Sequence, residues 1–212
     1  MKTKLIACAF AILMIFSFSR FSMADTISFT DGLGGINGMG GGIFVAHTST
    51  STFDTFCVEI PEHLSFGSLY QYTVGNAAVM GGYGGGSPDP LSGATAFLYA
   101  SFLSNNLGAV GFDPGNAANI DSLQLAIWVL EDELVSTNDI MANNLINYAA
   151  LMGFDKNSTD IGDVAVINPY IIDVTGARIQ KQSVLTLIPE PMTLLLLGLG
   201  LLGIGITRRI LN

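Results

Sequence analysis

The spacing of hydrophobic and polar positions changes twice along the chain. Short runs of β-branched and aromatic residues separated by glycine, typical of strands joined by turns, occupy residues 25–75. Apolar positions three to four residues apart, typical of amphipathic helices, follow over 94–153. Residues 163–188 return to a β-rich composition. The order of strands, helices and strands predicts an α+β fold, in which a three-helix block is inserted beside a β-strand-rich sheet or sandwich.

The helical block contains three predicted helices, over residues 94–107, 121–135 and 138–153. The second has the clearest apolar stripe, and Asp121 or Ser122 is predicted to cap its start. The third is predicted to begin after Asn138 or Asp139 and to stop at Gly153. The acidic triplet 131–133 is expected on a solvated face, because consecutive helical positions point in different directions.

The first residues of the chain have the pattern of a signal peptide. Lys2 and Lys4 precede a long apolar run, and Ser22 and Ala24 place small residues at the −3 and −1 positions of a signal-peptidase site. We therefore predict a signal peptide over residues 1–24, a signal helix that is cleaved after Ala24 on export.

The other end combines three features in a fixed order. They are the Pro-Glu-Pro element Pro189, Glu190 and Pro191, the uncharged apolar run 192–206, and the basic pair Arg208 and Arg209. A helix of that length spans ~23 Å, which is marginal for a bilayer core of ~30 Å and suits transient anchoring. The basic pair is expected to stay in the cytoplasm, with everything before the run outside.

This C-terminal layout resembles the PEP-CTERM sorting signal of Gram-negative bacteria, in which an exosortase-type membrane transpeptidase cuts at the motif. The resemblance implies a sorting signal over residues 189–212, with a transmembrane helix that holds the chain in the inner membrane before processing. Residues 25–188 would then form one extracellular domain, located at the cell surface or in the extracellular matrix.

The charge of the chain excludes one class of partner. The 17 acidic residues outnumber the 8 basic ones, giving a net charge of −9. Between the two terminal segments the basic residues are only Lys156, Arg178 and Lys181. Nucleic acid is therefore not expected as a partner, because phosphate binding depends on Lys and Arg. The acid-rich segment 155–163 lacks EF-hand spacing, and neither a metal site nor a cofactor is predicted.

Removal of the signal peptide takes Cys8 with it and leaves Cys57 as the one cysteine, which excludes an intramolecular disulfide. Cys57 then has four possible roles: a buried structural residue, an intermolecular disulfide, the nucleophile of a hydrolase, or one half of a thioester. A hydrolase would need His47 or His63 as its base. Its cysteine would also be expected at a helix N-terminus, whereas Cys57 lies in a predicted strand.

The thioester alternative comes from two short segments. "FCVEI" and "LQLAIW" resemble the paired motifs of the thioester domains of bacterial surface proteins, the Cys-Gln, TQXA type, over residues 50–135. The matching positions are Phe56, Cys57, Gln124, Ala126, Ile127 and Trp128. Leu123 stands where the family has threonine. The resemblance implies a bond between the Cys57 sulfur and the Gln124 side chain, and Trp128, one helical turn from Gln124, is positioned to shield it.

The chain is therefore expected to be an exported surface or matrix protein that attaches covalently to an amine-bearing target. Each molecule would react once, so the protein would be a reactant rather than an enzyme. A non-reactive matrix or surface protein with the same sorting tail, and a secreted cysteine hydrolase, are the two alternatives.

Overall fold

The computed structural model describes residues 25–36 and 39–188. The predicted signal helix, the cleavage site at Ala24 and the predicted transmembrane helix lie outside the described residues. So do the sorting residues Pro189, Glu190, Pro191, Arg208 and Arg209. Within the described ranges, no helix is long and apolar enough to cross a membrane.

In the described residues nine strands make up the β part, and all their pairings are antiparallel. They are β1 (Thr26–Asp31), β2 (Phe44–Thr48), β3 (Thr52–Thr55), β4 (Tyr70–Gly75), β5 (Ala77–Ala78), β6 (Asp89–Pro90), β7 (Val164–Ile172), β8 (Arg178–Gln180) and β9 (Val184–Leu187). Seven of them form one sheet in the order β3-β2-β1-β4-β7-β8, with β9 also paired to β7, while β5 and β6 form a separate pair.

The two ends of the large sheet meet. The extended residues that follow β3 pair with β9 through a single bridge between Cys57 and Val184. The backbone N–H of Leu185 donates to the Phe56 carbonyl, and that of Val58 donates to the Ser183 carbonyl. The sheet therefore curls until the chain after its first edge strand contacts β9, which places Cys57 on the inside of the curl.

Three α-helices lie between β6 and β7: α1 (Gly93–Leu103), α2 (Ala117–Leu130) and α3 (Ile140–Leu151), with a 3-10 turn at Leu107–Val110. Ser92 caps α1 by accepting from the Thr95 N–H. Asp139 caps α3 by accepting from the Ala142 N–H, as the sequence predicts. The predicted stop at Gly153 is also found, with φ of 94° directly after the C-cap.

The predicted start of the second helix is wrong. The cap is Asn116, whose side chain accepts from the Ala118 N–H, so α2 begins before both Asp121 and Ser122. The prediction placed the start at Asp121 or Ser122 by residue type, although the apolar stripe already begins at the fully buried Ile120, three residues before Leu123. The helix also ends at Leu130 rather than 135, and Asp132 adopts the left-handed conformation with φ of 61°.

The described domain is α+β, as predicted from the order of patterns, and it has two hydrophobic cores. The sheet core lies inside the curl and includes Phe29, Tyr70, Cys57, Trp128 and Ile167. The helix core lies between the three helices and the other side of the sheet, and includes Phe56, Leu98, Leu123, Ile127 and Leu145. Helix α2 contributes side chains to both cores, so it joins them.

A candidate thioester site between Cys57 and Gln124

Alternation along an extended segment directs Cys57 inward. Phe56 and Val58 lie in the helix core, whereas Cys57 between them lies in the sheet core. Phe56 packs edge-to-face on Phe102 of α1, with ring centroids 5.2 Å apart. The two flanking residues thus hold the backbone against the helices. The cysteine side chain is left buried and directed towards α2.

Helix α2 brings Gln124 to the same place. Gln124 and Trp128 are four residues apart and therefore on one face of the helix, and both are fully buried. Ala126 and Ile127, the other two residues of the motif, are also fully buried but belong to the helix core. One side of α2 thus presents an amide and an indole to Cys57, while its other side packs on the helical block.

The Gln124 amide contacts Cys57 at three points. The Cys57 thiol donates to Gln124 Oε1 across 3.2 Å, and the Cys57 backbone N–H donates to the same oxygen across 3.3 Å. Gln124 Nε2 donates to the Cys57 carbonyl across 2.9 Å. Both ends of the amide are thus held by one residue, and its carbonyl group is adjacent to the sulfur.

This geometry suits attack of sulfur on the amide carbon. The sulfur lies 3.2 Å from the oxygen bonded to that carbon, so the two reacting groups are neighbours in the folded chain. The Cys57 N–H already points at the oxygen that would become negative in a tetrahedral intermediate. The arrangement contains a nucleophile, an acyl group and one oxyanion donor.

The thiol is protonated at neutral pH. Burial raises the pKa of Cys57 well above its ordinary value, and the nearby Glu59 carboxylate raises it further. The indole N–H of Trp128 acts in the opposite direction and lowers this pKa. A sulfur in this state is inert towards solvent and reacts only with a partner held against it.

Trp128 carries a polar atom without a partner. Its Nε1 is buried and has no hydrogen-bond acceptor among the described residues, although the N–H favours the thiolate of Cys57 over the thiol. A buried donor without an acceptor is costly in a stable core. The indole N–H is therefore available to any negative charge that develops on the sulfur.

A glycine of the β1–β2 connection covers this pair. Gly41 is buried with φ of 84°, and a Cβ built on it would lie 2.8 Å from Gln124 Cγ and 2.9 Å from Trp128 Cη2. Only glycine allows the backbone to approach so closely. Asp121, predicted as a helix cap, instead accepts from the Gly35 N–H across 2.6 Å and ties the connection to α2. Sequence reasoning identified a loop here but not its contact with the site.

The acidic triplet is not a solvated face. Glu131 and Glu133 are both 4% exposed, and only Asp132 between them is on the surface, where it pairs with Lys156. Glu133 accepts from the backbone N–H groups of Ile60 and Tyr83, each across 2.8 Å. The earlier expectation is wrong because the helix ends before these residues, and their carboxylates turn inward to satisfy loop N–H groups.

Among the described residues, neither histidine is hydrogen-bonded to Cys57, as the base of a hydrolase would be. His47 lies on β2 and hydrogen-bonds the hydroxyls of Thr30 and Thr52. His63 lines a groove beside Gly41. The Cys57 sulfur instead bonds to Gln124, and its raised pKa disfavours a free thiolate. In the described part of the chain, no group of three or more His, Cys, Asp or Glu side chains is arranged to hold a metal ion.

Comparison with known proteins identifies one segment of the chain. Residues 187–209 match the PEP-CTERM protein-sorting motif. With this PEP-CTERM motif the chain is an exported protein that is anchored transiently in the membrane and recognised there by an exosortase before cleavage. The match covers the C-terminal segment and does not extend to Cys57 or Gln124. No curated protein and no solved structure matches this chain.

Proposed function

We propose that this exosortase-sorted protein forms an internal thioester between Cys57 and Gln124 and uses it to attach covalently to an amine on a surface or matrix partner. The observation that carries the proposal is the 3.2 Å contact between the buried Cys57 sulfur and the Gln124 amide oxygen. This amide is also held at its nitrogen and its oxygen by the Cys57 backbone. The location at the cell surface or in the matrix is part of the proposal.

Thioester formation is a balanced exchange that releases one ammonia. The Cys57 sulfur bonds to the Gln124 amide carbon, the carbon–nitrogen bond breaks, and the thiol proton ends on the departing ammonia. An amide is a poor acyl donor, so the reaction depends on the fixed position of the two groups and on stabilisation of the intermediate. In the proposed intermediate, the Cys57 N–H donates a hydrogen bond to the amide oxygen, and the Trp128 N–H donates one to the sulfur.

The second step transfers the acyl group. A primary amine bonds to the Gln124 carbonyl carbon, the carbon–sulfur bond breaks, and the Cys57 thiol is restored. The product is an amide that joins Gln124 to the partner. The chain is consumed by this reaction and acts once, so it is a reactant and not an enzyme.

Intact mass measurement of the chain recovered from exporting cells tests the proposal. The wild type is expected to be lighter than its sequence by one ammonia and to resist alkylation at Cys57. Gln124→Ala is expected to show its full sequence mass and one alkylatable thiol. Gln71→Ala, a glutamine replaced on β4, is the matched control and is expected to keep the ammonia loss.

Reaction with methylamine provides a second test of the thioester. Addition to the wild type is expected to increase the mass by one methylamine, to place it on Gln124 in peptide maps, and to release one thiol. A wild-type chain with its full sequence mass would contradict the proposal and favour the non-reactive matrix protein. Repeated turnover of a model ester that is lost in His63→Ala would instead indicate a hydrolase.

A further inference from the structure

A groove lies beside Gly41, the glycine that packs on Gln124 and Trp128. It has a volume of about 290 Å³ and runs along the β1–β2 connection and the segment after Ile60. Gly40 and Gly41 form part of its wall. Because Gly41 also packs on Gln124 Cγ and Trp128, one glycine backbone separates the groove from the side chain that would carry the acyl group.

The groove has an apolar wall and a polar rim. Met39, Phe44, Leu64 and Phe66 provide an apolar wall, and Phe44 and Phe66 meet edge-to-face with centroids 5.5 Å apart. Asp31 provides a carboxylate and His63 an imidazole, and both residues are exposed. Among the lining residues, Asp31 carries the one fixed charge, and it is negative.

We propose that this groove is the binding site for the incoming amine, and that it selects a primary ammonium group on an aliphatic stem, as in a lysine side chain or a linear diamine. The inference rests on the proposed function, because it assigns the acceptor of the Cys57–Gln124 thioester. The apolar wall receives the stem and Asp31 attracts the ammonium, while the Gly41 backbone is the layer between the groove and Gln124.

His63 has a defined part in this step. An ammonium is not a nucleophile until it loses a proton, and the His63 imidazole on the groove rim can accept it. The free amine then bonds to the Gln124 carbonyl carbon, and a second nitrogen proton ends on the Cys57 sulfur as the carbon–sulfur bond breaks. The first proton passes from His63 to solvent, so the step is balanced.

The test compares a charged and an uncharged nucleophile on the full chain carrying its thioester. Rates of thiol release are measured with cadaverine, which is cationic at neutral pH, and with hydroxylamine, which is largely uncharged there. Asp31→Asn is expected to lower the cadaverine rate about threefold, the effect of one exposed ion pair, and to leave the hydroxylamine rate unchanged. Asp54→Asn, an exposed aspartate of β3, is the matched control and should change neither rate.

A second variant tests whether the groove wall binds the aliphatic stem of the amine. Phe66→Ala removes an exposed aromatic side chain from the wall, and it is expected to reduce the preference for cadaverine over methylamine. Two further amines identify the source of the ammonium: preference for Nα-acetyl-lysine amide over cadaverine assigns a protein acceptor, and the reverse preference assigns a polyamine.

These measurements distinguish failure of the thioester proposal from failure of the groove assignment. A wild-type chain without the ammonia loss would overturn the thioester and the groove together. A chain with the thioester whose ratio of cadaverine to hydroxylamine rates is unchanged in both Asp31→Asn and Phe66→Ala would overturn the groove alone and leave the proposed function standing.

Discussion

One carboxamide determines what the Cys57 sulfur can react with. Gln124 reaches Cys57 with both its oxygen and its nitrogen paired, so the amide cannot rotate away from the sulfur. The thiol is buried and has a raised pKa, which keeps it from reacting with solvent. A cysteine in this environment is protected by its position, and the same position presents it to a single acyl group.

At the scale of single residues, we predict that Trp128→Phe slows thioester formation. The substitution keeps an aromatic ring in the sheet core but removes the indole N–H that favours the Cys57 thiolate. Loss of one hydrogen bond to a developing charge is expected to slow thioester formation about tenfold. Pulse-labelled mass spectrometry of newly made chains measures the time course of ammonia loss.

Ile127→Val is the control for packing. It removes one methylene from the same helix but from the helix core, and is expected to leave the rate of ammonia loss unchanged. Equal rates for Trp128→Phe and the wild type would show that the indole N–H has no part in the reaction.

Among the elements, α2 and the turn that follows it hold the domain together. The helix carries Gln124 and Trp128 to the sheet core, and Asp121 ties down the β1–β2 connection. Past the end of the helix, Glu133 links Ile60 to Tyr83, which lies in the glycine-rich segment of residues 81–86. Glu131 accepts from the backbone and the hydroxyl of Ser92 at the start of α1. These carboxylates join loops that pack beside the Cys57 segment.

Glu133→Gln is therefore expected to destabilise the domain. The amide has one acceptor oxygen, whereas two backbone N–H groups now donate to the carboxylate, so one buried donor loses its partner at a cost of about 1–3 kcal/mol. Asp132→Asn, one residue away, breaks only the exposed pair with Lys156 and is expected to cost about 0–1 kcal/mol. Urea unfolding of both variants measures the difference, and equal midpoints would contradict the assigned role of Glu133.

For the molecule as a whole, buried carboxyl groups set the pH dependence of stability. Burial and, to a smaller extent, the neighbouring Glu62 together raise the pKa of Glu59 from 4.5 to about 8. Burial also raises the pKa values of Glu131, Glu62 and Asp89. The folded state therefore retains protons that the unfolded state releases, and it is favoured at mildly acidic pH.

We predict that the melting temperature falls as pH rises from 4.5 to about 8, the window of the Glu59 shift. The free energy of unfolding decreases there because the unfolded chain binds fewer protons. A fall of several degrees is expected, since about 1 kcal/mol corresponds to about 2–4 °C for a chain of this size. Calorimetry across this window measures it.

Glu59→Gln removes one of these titrations and is expected to flatten the profile. The exposed Asp54→Asn serves as its control and should leave the slope as in the wild type. A profile that rises with pH in the wild type would contradict the assignment of a buried, protonated Glu59.

Local patterns were enough for much of the fold. The α+β order follows from β-branched and aromatic runs and from apolar spacings of three to four, and the cap at Asp139 and the stop at Gly153 follow from residue type. The start of α2 did not follow, because residue type pointed to Asp121 or Ser122 as the cap, whereas Asn116 caps the helix. For the candidate site, the sequence resemblance selected Cys57 and Gln124, but periodicity gave no information on Gly41 or Glu133.

The sequence by itself determined how this protein is sorted, because sorting signals are contiguous segments that are read outside the folded domain. The PEP-CTERM motif at residues 187–209 is the segment that comparison identified. Only the tertiary structure decided which groups surround Cys57. Sulfur and amide are 67 positions apart in the chain, and their contact, the cover by Gly41 and the inward turn of Glu133 each depend on how distant segments pack. Burial and contact are properties of the folded chain, and no local pattern specifies them.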